Sequence, residues 1–265
     1  MLPELTLDEL STALDTVAER AILALGQDGP PVNALVLARA LGLAIAWDER
    51  QAGRGRIVRL GEFVGDRARG SILLRPDPRR ERLQWAIAHE IGELCAVEVF
   101  DELRIDPRDA PPGTRETIAN QLAGRLLLPR DWFAAAGEEC GWDLAELKRR
   151  FSTASHELIA RRMLDFSPQV AITIFDHGRR TFRRGNLPGR LPPLVPLEQA
   201  AWRGAHELGE VTLESDHRLS VQAWPVHEPE WKREILRSEW HGGGEDSSDL
   251  NDQFCCDERY DESRV

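Results

Sequence analysis

The sequence predicts an α+β fold, in which helices and short strands occupy separate stretches of the chain. Apolar residues recur with a helical period over residues 7–27 and again in two segments within residues 79–128. Short segments typical of strands lie between these helices and again after residue 169. We therefore expect a helical core with a small β-sheet, a helix–turn–helix-like segment, and a C-terminal β-containing module.

The first half of the chain alternates between helices and strands. Clusters of Gly and Pro end the helical patterns, and Thr114 is the expected N-cap of the helix that Pro129 ends. The predicted elements are helices at about 7–27 and 33–41, the strands Leu43–Trp47, Arg56–Leu60 and Ser71–Leu74, and helices at about Arg79–Phe100 and Thr114–Leu128.

The second half begins with the helix–turn–helix-like segment, from Asp143 to Asp165, in which Ser155 can cap the second helix. The period then changes to two, and Asp176-His177-Gly178 marks the turn of a β-hairpin. The predicted elements of the module are the strands Val170–Phe175 and Arg179–Arg183, a helix at about 197–208, strands near 210–214 and 218–224, and a charged helix near 229–240.

These patterns divide the chain into four regions. A first domain is expected at residues 1–140, a helix–turn–helix-like helical segment at 141–166, the β-containing module at 167–240, and a disordered acidic tail at 241–265. The tail holds eight acidic residues against two arginines, a composition typical of disorder.

Composition excludes several classes of protein. The 265-residue chain has a net charge of −11, which argues against binding nucleic acid through bulk charge. Because the tail accounts for −6, the remaining 240 residues carry only −5, and direct nucleic-acid binding stays open. No run approaches the ~20 apolar residues of a membrane span, and no signal peptide is evident. Four cysteines show no metal-site spacing, so we expect a cytoplasmic protein without disulfides.

The segment His89-Glu90-Ile91-Gly92-Glu93 carries the strongest chemical signal. On a helix, His89 and Glu93 share one face at about 5–6 Å, close enough to bind one metal ion. Glu90 lies to the side, where it can act on a water as the general base, as in a His-Glu-x-x-His metallopeptidase helix. The fifth position here is Glu, which can also ligate zinc. Taken alone, the string is more typical of a solvated, charged helix face.

Glu116 supplies the third element of this hypothesis. It lies in the first turn of the following helix, and it faces the first motif if the two helices pack antiparallel. Three protein ligands and a water form the catalytic zinc arrangement. The alternative is a carboxylate that stabilises the N-terminus of its own helix.

Further segments accompany the motif: Pro31-Val32-Asn33, Leu37-Ala38-Arg39-Ala40-Leu41-Gly42-Leu43, and Glu116-x-x-Ala119-Asn120 followed by Leu126-Leu127-x-Pro129. Together with Ala88-His89-Glu90-Ile91-Gly92, they resemble the ImmA/IrrE metallopeptidases over about residues 20–165. The resemblance implies a zinc-dependent endopeptidase that cleaves helix–turn–helix transcriptional repressors and so releases stress-response or mobile-element genes. By position it implies a metallopeptidase-like domain at 1–140, with His89 and Glu116 as metal ligands and Glu90 as the base.

Glu93 stands where the family has its second His, and this changes the expected chemistry. Two carboxylates on the metal in place of one should lower its Lewis acidity. Oxygen-rich ligation shifts the relative preference toward Mn²⁺ or Fe²⁺, although raw affinity still favours Zn²⁺. We therefore expect a weakened but occupied zinc site, with Mn²⁺ or Fe²⁺ as alternatives. The alternative function is a catalytically inactive relative that binds a repressor or DNA as a regulatory module.

Three other features are weighed against this hypothesis. A second string, His206-Glu207-Leu208-Gly209-Glu210, should not form a site, because Gly209 ends its helix. The hairpin region 177–190 contains five arginines and is either solvated or a surface for nucleic acid or for an acidic partner such as the tail. The strand Ser71–Leu74 could lie at a sheet edge, where an extended protein substrate could add to it.

Overall fold

The computed structural model describes residues 6–50, 53–58, 70–166 and 168–241. Contacts divide the chain into two units, Met1–Phe166 and Ser167–Val265. The acidic segment from residue 242 onward, and the last two residues of the predicted strand Arg56–Leu60, lie outside the described residues. Within those residues, eight α-helices and two β-sheets confirm the α+β class. No helix in this part of the chain is long and apolar enough to cross a membrane.

The first unit contains seven helices and a small sheet in its described residues. In chain order they are α1 (Leu7–Ile22), α2 (Ala34–Ala40), β1 (Leu43–Trp47), β2 (Gly55–Val58), β3 (Gly70–Leu74), α3 (Arg80–Glu102), α4 (Thr114–Leu127), α5 (Arg130–Glu139), α6 (Leu144–Arg150) and α7 (His156–Arg162). The start of α1 is fixed by a capping box, in which Thr6 and Glu9 satisfy each other's backbone N–H groups.

Around α4 one local prediction is wrong and one helix was not predicted. The N-cap is Gly113, not Thr114, because the chain enters the helix with a φ of 84°, which glycine adopts at no steric cost. Thr114 is already the first helical residue. Pro129 ends α4 as expected, but it also caps a further helix, α5, that the sequence analysis did not predict. Proline is compatible with a helix start because it needs no N–H partner there.

The small sheet has the order β1-β3-β2. β1 is parallel to β3 and β2 is antiparallel to it, so β3 is the central strand. The expectation that Ser71–Leu74 forms a sheet edge is therefore wrong. Ile72 and Leu74 are fully buried, as a central strand requires, and the edges are β1 and β2.

A buried ion cluster connects the helices of this unit. Asp15 of α1 is 5% exposed and lies within 3.1 Å of guanidinium nitrogens from three arginines. These are Arg125 of α4, Arg130 of α5 and Arg162 of α7. Burial lowers the pKa of Arg125 below its ordinary value, and the nearby carboxylates of Asp165 and Asp15 offset part of this effect. One carboxylate therefore holds four helices in register.

The predicted cap of α7 is confirmed, because Ser155 Oγ accepts a hydrogen bond from the Leu158 N–H.

The second unit is a five-stranded antiparallel sheet of order β5-β4-β8-β7-β6, with helix α8 packed on it. Its elements are β4 (Val170–Asp176), β5 (Arg179–Gly185), α8 (Pro196–Leu208), β6 (Thr212–Ser215), β7 (Leu219–Pro225) and β8 (Arg233–Trp240). The apolar face of α8 covers Phe175, and the rings of Phe175 and Trp202 stack at 4.8 Å.

The predicted helix near 229–240 is wrong, because this segment contains β8, the central strand of the sheet. Residues 234–238 are all buried, so the strand has no polar face to produce an alternating pattern. Its charged residues have partners inside the unit. Glu234 accepts hydrogen bonds from Trp202 and two histidines, and Arg237 pairs with Glu239.

Candidate metal centre

Helices α3 and α4 bring the three predicted ligand residues together. One potential ligand atom from each of His89, Glu93 and Glu116 lies within 4.8 Å of the others. His89 Nε2 is 3.3 Å from Glu116 Oε1. Among the described residues, this is the one group of three or more His, Cys, Asp or Glu side chains with such spacing.

The two helices run antiparallel at this point. Residue 89 of α3 faces residue 120 of α4, whereas residue 93 faces residue 115. Gly92 lies between these pairs, and a Cβ placed on it would be 2.5 Å from the backbone oxygen of Ala119. Only glycine permits this approach of the two backbones. Gly92 therefore sets how near the residues of α3 come to Glu116.

Asn120 orients the ring of His89. Its Oδ1 is 2.9 Å from His89 Nδ1, and its Nδ2 donates to Glu116 Oε1 at 3.3 Å. Because an amide oxygen only accepts, this arrangement places the ring proton on Nδ1. In the neutral ring, His89 Nε2 then carries the lone pair, and it lies 3.3 Å from Glu116 Oε1. Two electron-rich atoms so placed fit a metal ion between them, with Asn120 as the outer partner that fixes the tautomer.

Glu93 is held by Arg115, a residue that the sequence analysis missed. Arg115 Nε lies 2.8 Å from Glu93 Oε2, and Arg115 Nη2 donates to the Glu93 backbone oxygen at 2.8 Å. The available signal was the antiparallel packing of the two helices, which places residue 115 opposite residue 93. The site thus contains a second cationic group beside any bound metal.

Glu90, next to His89 on α3, lies against the small sheet. Its side chain is buried, with the residue only 6% exposed. A Cβ placed on Gly55 of β2 would lie 2.8 Å from Glu90 Oε1. The carboxylate of Glu90 thus lies against β2, at the edge of the sheet, and Gly55 leaves the space that it occupies.

The second His-Glu-x-x-Glu string does not form such a site. Helix α8 ends at Leu208, and Gly209 follows with a φ of 68°, as the sequence predicts. His206 Nδ1 instead lies 2.9 Å from Glu234 Oε1, and His227 Nε2 lies 2.8 Å from the same atom. This histidine-bound carboxylate belongs to the interior of the second unit.

Two comparisons with known proteins, one of sequence and one of structure, found similar proteins. Residues 54–164 match the family model of Peptidase_M78, the IrrE N-terminal-like domain. A solved structure of a Mycobacterium tuberculosis transcriptional regulator is similar in fold, with a TM-score of 0.63 at 16% identity, over 86% of this chain and 76% of that one. No curated protein matches the chain. The matched segment contains β2, β3 and helices α3 to α7, and the match agrees with the resemblance to the ImmA/IrrE metallopeptidases in the sequence.

Proposed function

We propose that the protein is a metal-dependent endopeptidase that regulates transcription by cleaving a protein substrate of the helix–turn–helix repressor class. The convergence of His89, Glu93 and Glu116 beside Glu90 carries this proposal. The family match and the fold shared with a transcriptional regulator support a regulatory peptidase.

The donor set fits a divalent metal ion. An imidazole nitrogen and carboxylates are ligand types that zinc accepts, and the His89 ring with its proton on Nδ1 would offer Nε2 to the metal. We assign Zn²⁺ to this site, with Mn²⁺ or Fe²⁺ as alternatives because of the two carboxylates. When bound, the metal supplies Lewis-acid polarisation of the scissile carbonyl and acidifies a water.

Glu90 is the proposed catalytic residue. It accepts a proton from the attacking water at a carboxylate oxygen and passes this proton to the leaving amine. Its burial against β2 shields the carboxylate from bulk water and restricts its rotamers. The single tyrosine of the chain, Tyr260, lies outside the described residues, so no described tyrosine can stabilise the oxyanion.

The substrate strand is proposed to add to β2 rather than to β3. β3 has neighbours on both sides, whereas β2 pairs with a strand on only one side within the described residues. β2 also lies directly against Glu90. An extended peptide along this edge would pair with backbone groups of β2 that face away from β3, and it would pass beside the proposed base.

A second candidate function is a catalytically inactive relative that binds its repressor without cleaving it. The ion pair between Arg115 and Glu93 favours this alternative, because a carboxylate engaged by a guanidinium competes for the same metal ion. The two functions differ in a single measurable property, peptide-bond cleavage.

The decisive experiment incubates the full chain with helix–turn–helix repressors encoded in the genome of its source, with added Zn²⁺ or Mn²⁺. A Glu90→Gln variant serves as the matched control, because it keeps the side-chain shape and removes the base. Cleavage that is lost in this variant supports the endopeptidase. Repressor binding without cleavage by either protein supports the inactive module. Neither binding nor cleavage, together with no bound divalent metal, would refute both.

A further inference from the structure

Arg115 and Glu93 form an isolated pair at the metal centre. Arg115 contacts Glu93 twice, through the carboxylate and through the backbone oxygen. Among the described residues, neither side chain has another ionic or hydrogen-bonding partner. Arg115 is about half exposed, with 52% of its side chain accessible, so this ion pair contributes little to folding stability. We therefore expect the ion pair to affect metal binding by the adjoining group of His89, Glu93 and Glu116.

The charges of the group explain why an arginine would stand here. A His/Glu/Glu ligand set carries one more negative charge than a His/His/Glu set, which lowers the Lewis acidity of a bound metal. The guanidinium of Arg115 offsets that extra charge, because arginine remains protonated in proteins. The ligand set plus Arg115 then has the same net charge as a His/His/Glu set.

The geometry also determines how Glu93 can act. Arg115 engages Oε2 of Glu93, so the other oxygen remains for a metal ion. The contact with the backbone oxygen of Glu93 anchors the guanidinium to α3. Arg115 immediately precedes Glu116, so the same turn of α4 provides both the third ligand and the compensating cation.

We propose that Arg115 is a positioning residue that neutralises Glu93 and holds it as a one-oxygen ligand, which makes glutamate a substitute for histidine at this position. This inference rests on the proposed metal site. It predicts that residues 93 and 115 act as a unit, so that the effect of removing the arginine depends on which residue occupies position 93.

The test measures the Zn²⁺ affinity of the full chain by competition with a chromogenic chelator, without any substrate. Arg115→Gln should weaken Zn²⁺ binding about 10- to 100-fold, as expected for the loss of an outer-shell partner. In the Glu93→His background, the same substitution should strengthen binding, because the arginine there is an unpaired cation beside a divalent one. Arg115→Lys keeps the charge but not the two-point contact, and it should give an intermediate affinity.

Arg20→Gln is the matched control. Arg20 is equally exposed, at 52%, and pairs with Glu98 and Glu102 farther along α3. Its loss should leave Zn²⁺ affinity unchanged, and urea unfolding of each variant checks that all remain folded. An Arg115→Gln effect that is absent, or of the same sign in both backgrounds, overturns the inference and leaves the peptidase proposal intact. Absence of Zn²⁺ binding in the unaltered chain and in Glu93→His would instead refute the metal site itself.

Discussion

Gly92→Ala tests whether the contact between α3 and α4 assembles the proposed metal centre. The added Cβ would meet the Ala119 backbone oxygen at 2.5 Å, and the Ala119 Cα and carbonyl carbon at 3.1 and 3.2 Å. These are backbone atoms of a packed helix, so no side-chain rotation can relieve the overlap. Ordinary contacts begin at 3.4 Å, and the two helices must therefore separate locally by about 1 Å.

The cost to stability should be modest, whereas the cost to metal binding should be large. Overpacking of this kind costs about 1–3 kcal/mol, and the better helix propensity of alanine offsets about 1 kcal/mol of it. Metal–ligand distances, however, tolerate only about 0.2 Å. The 3.3 Å separation between His89 Nε2 and Glu116 Oε1 would increase with the helix separation. We expect Zn²⁺ affinity to fall at least about 10-fold, the lower limit for a disturbed metal site.

Gly124→Ala is the matched control for this experiment. Gly124 is also buried in a helix of the same pair, but its added Cβ would lie 3.5 Å from Leu158 Cδ1, an ordinary contact. It should leave Zn²⁺ affinity unchanged and raise the free energy of unfolding by up to about 1 kcal/mol. Both variants are measured by chelator competition and urea unfolding. A Gly92→Ala protein that binds Zn²⁺ as tightly as the unaltered chain would refute the argument that this glycine sets the site geometry.

Three further predictions concern stability, catalysis and thiol chemistry. Asp15→Asn should lower the free energy of unfolding by about 3 kcal/mol, because it leaves buried arginines without their carboxylate; an unchanged urea midpoint would contradict this. Gly55→Ala should displace the Glu90 carboxylate and reduce peptidase kcat about 10- to 100-fold without changing the bound metal, and full activity would show that β2 does not position the base. Burial raises the pKa of the Cys95 thiol to about 12. At about pH 8 only about one thiol in ten thousand is then ionised, so iodoacetamide should modify Cys95 in urea but not in the native chain. Labelling of the native chain should rise only as the pH approaches the pKa of the thiol. Rapid labelling of native Cys95, detected by peptide mapping, would contradict the burial argument.

The sequence predicted the elements whose apolar residues recur with a clear helical or strand period and whose flanking residues mark the ends. β1 occupies Leu43–Trp47 as expected, and α3 and α4 lie within two residues of their predicted ends. Helical spacing also predicted that residues 89 and 93 share one face, because that relation depends only on local backbone geometry.

Other features could not be predicted from local patterns. The charged residues of β8 made its sequence look like an amphipathic helix with a solvated face. In the structure these residues are buried, and partners from other parts of the chain satisfy them. The short helix α5 follows α4 directly, so no separate turn signal marks it. The central position of β3 depends on strand pairing between segments that are not adjacent in the sequence.

The sequence by itself determined the α+β class, the family resemblance, and the local geometry of the His89-Glu90-x-x-Glu93 helix. Only the tertiary structure decided which residues stand opposite that helix. The backbone contact at Gly92 brings Glu116 to His89, sets Asn120 against the imidazole ring, and places Arg115 on Glu93. Pairing across two helices depends on how far apart and in what register they pack, and a sequence period describes one helix at a time. The charge that would surround a metal at the proposed centre is therefore a property of the packed pair.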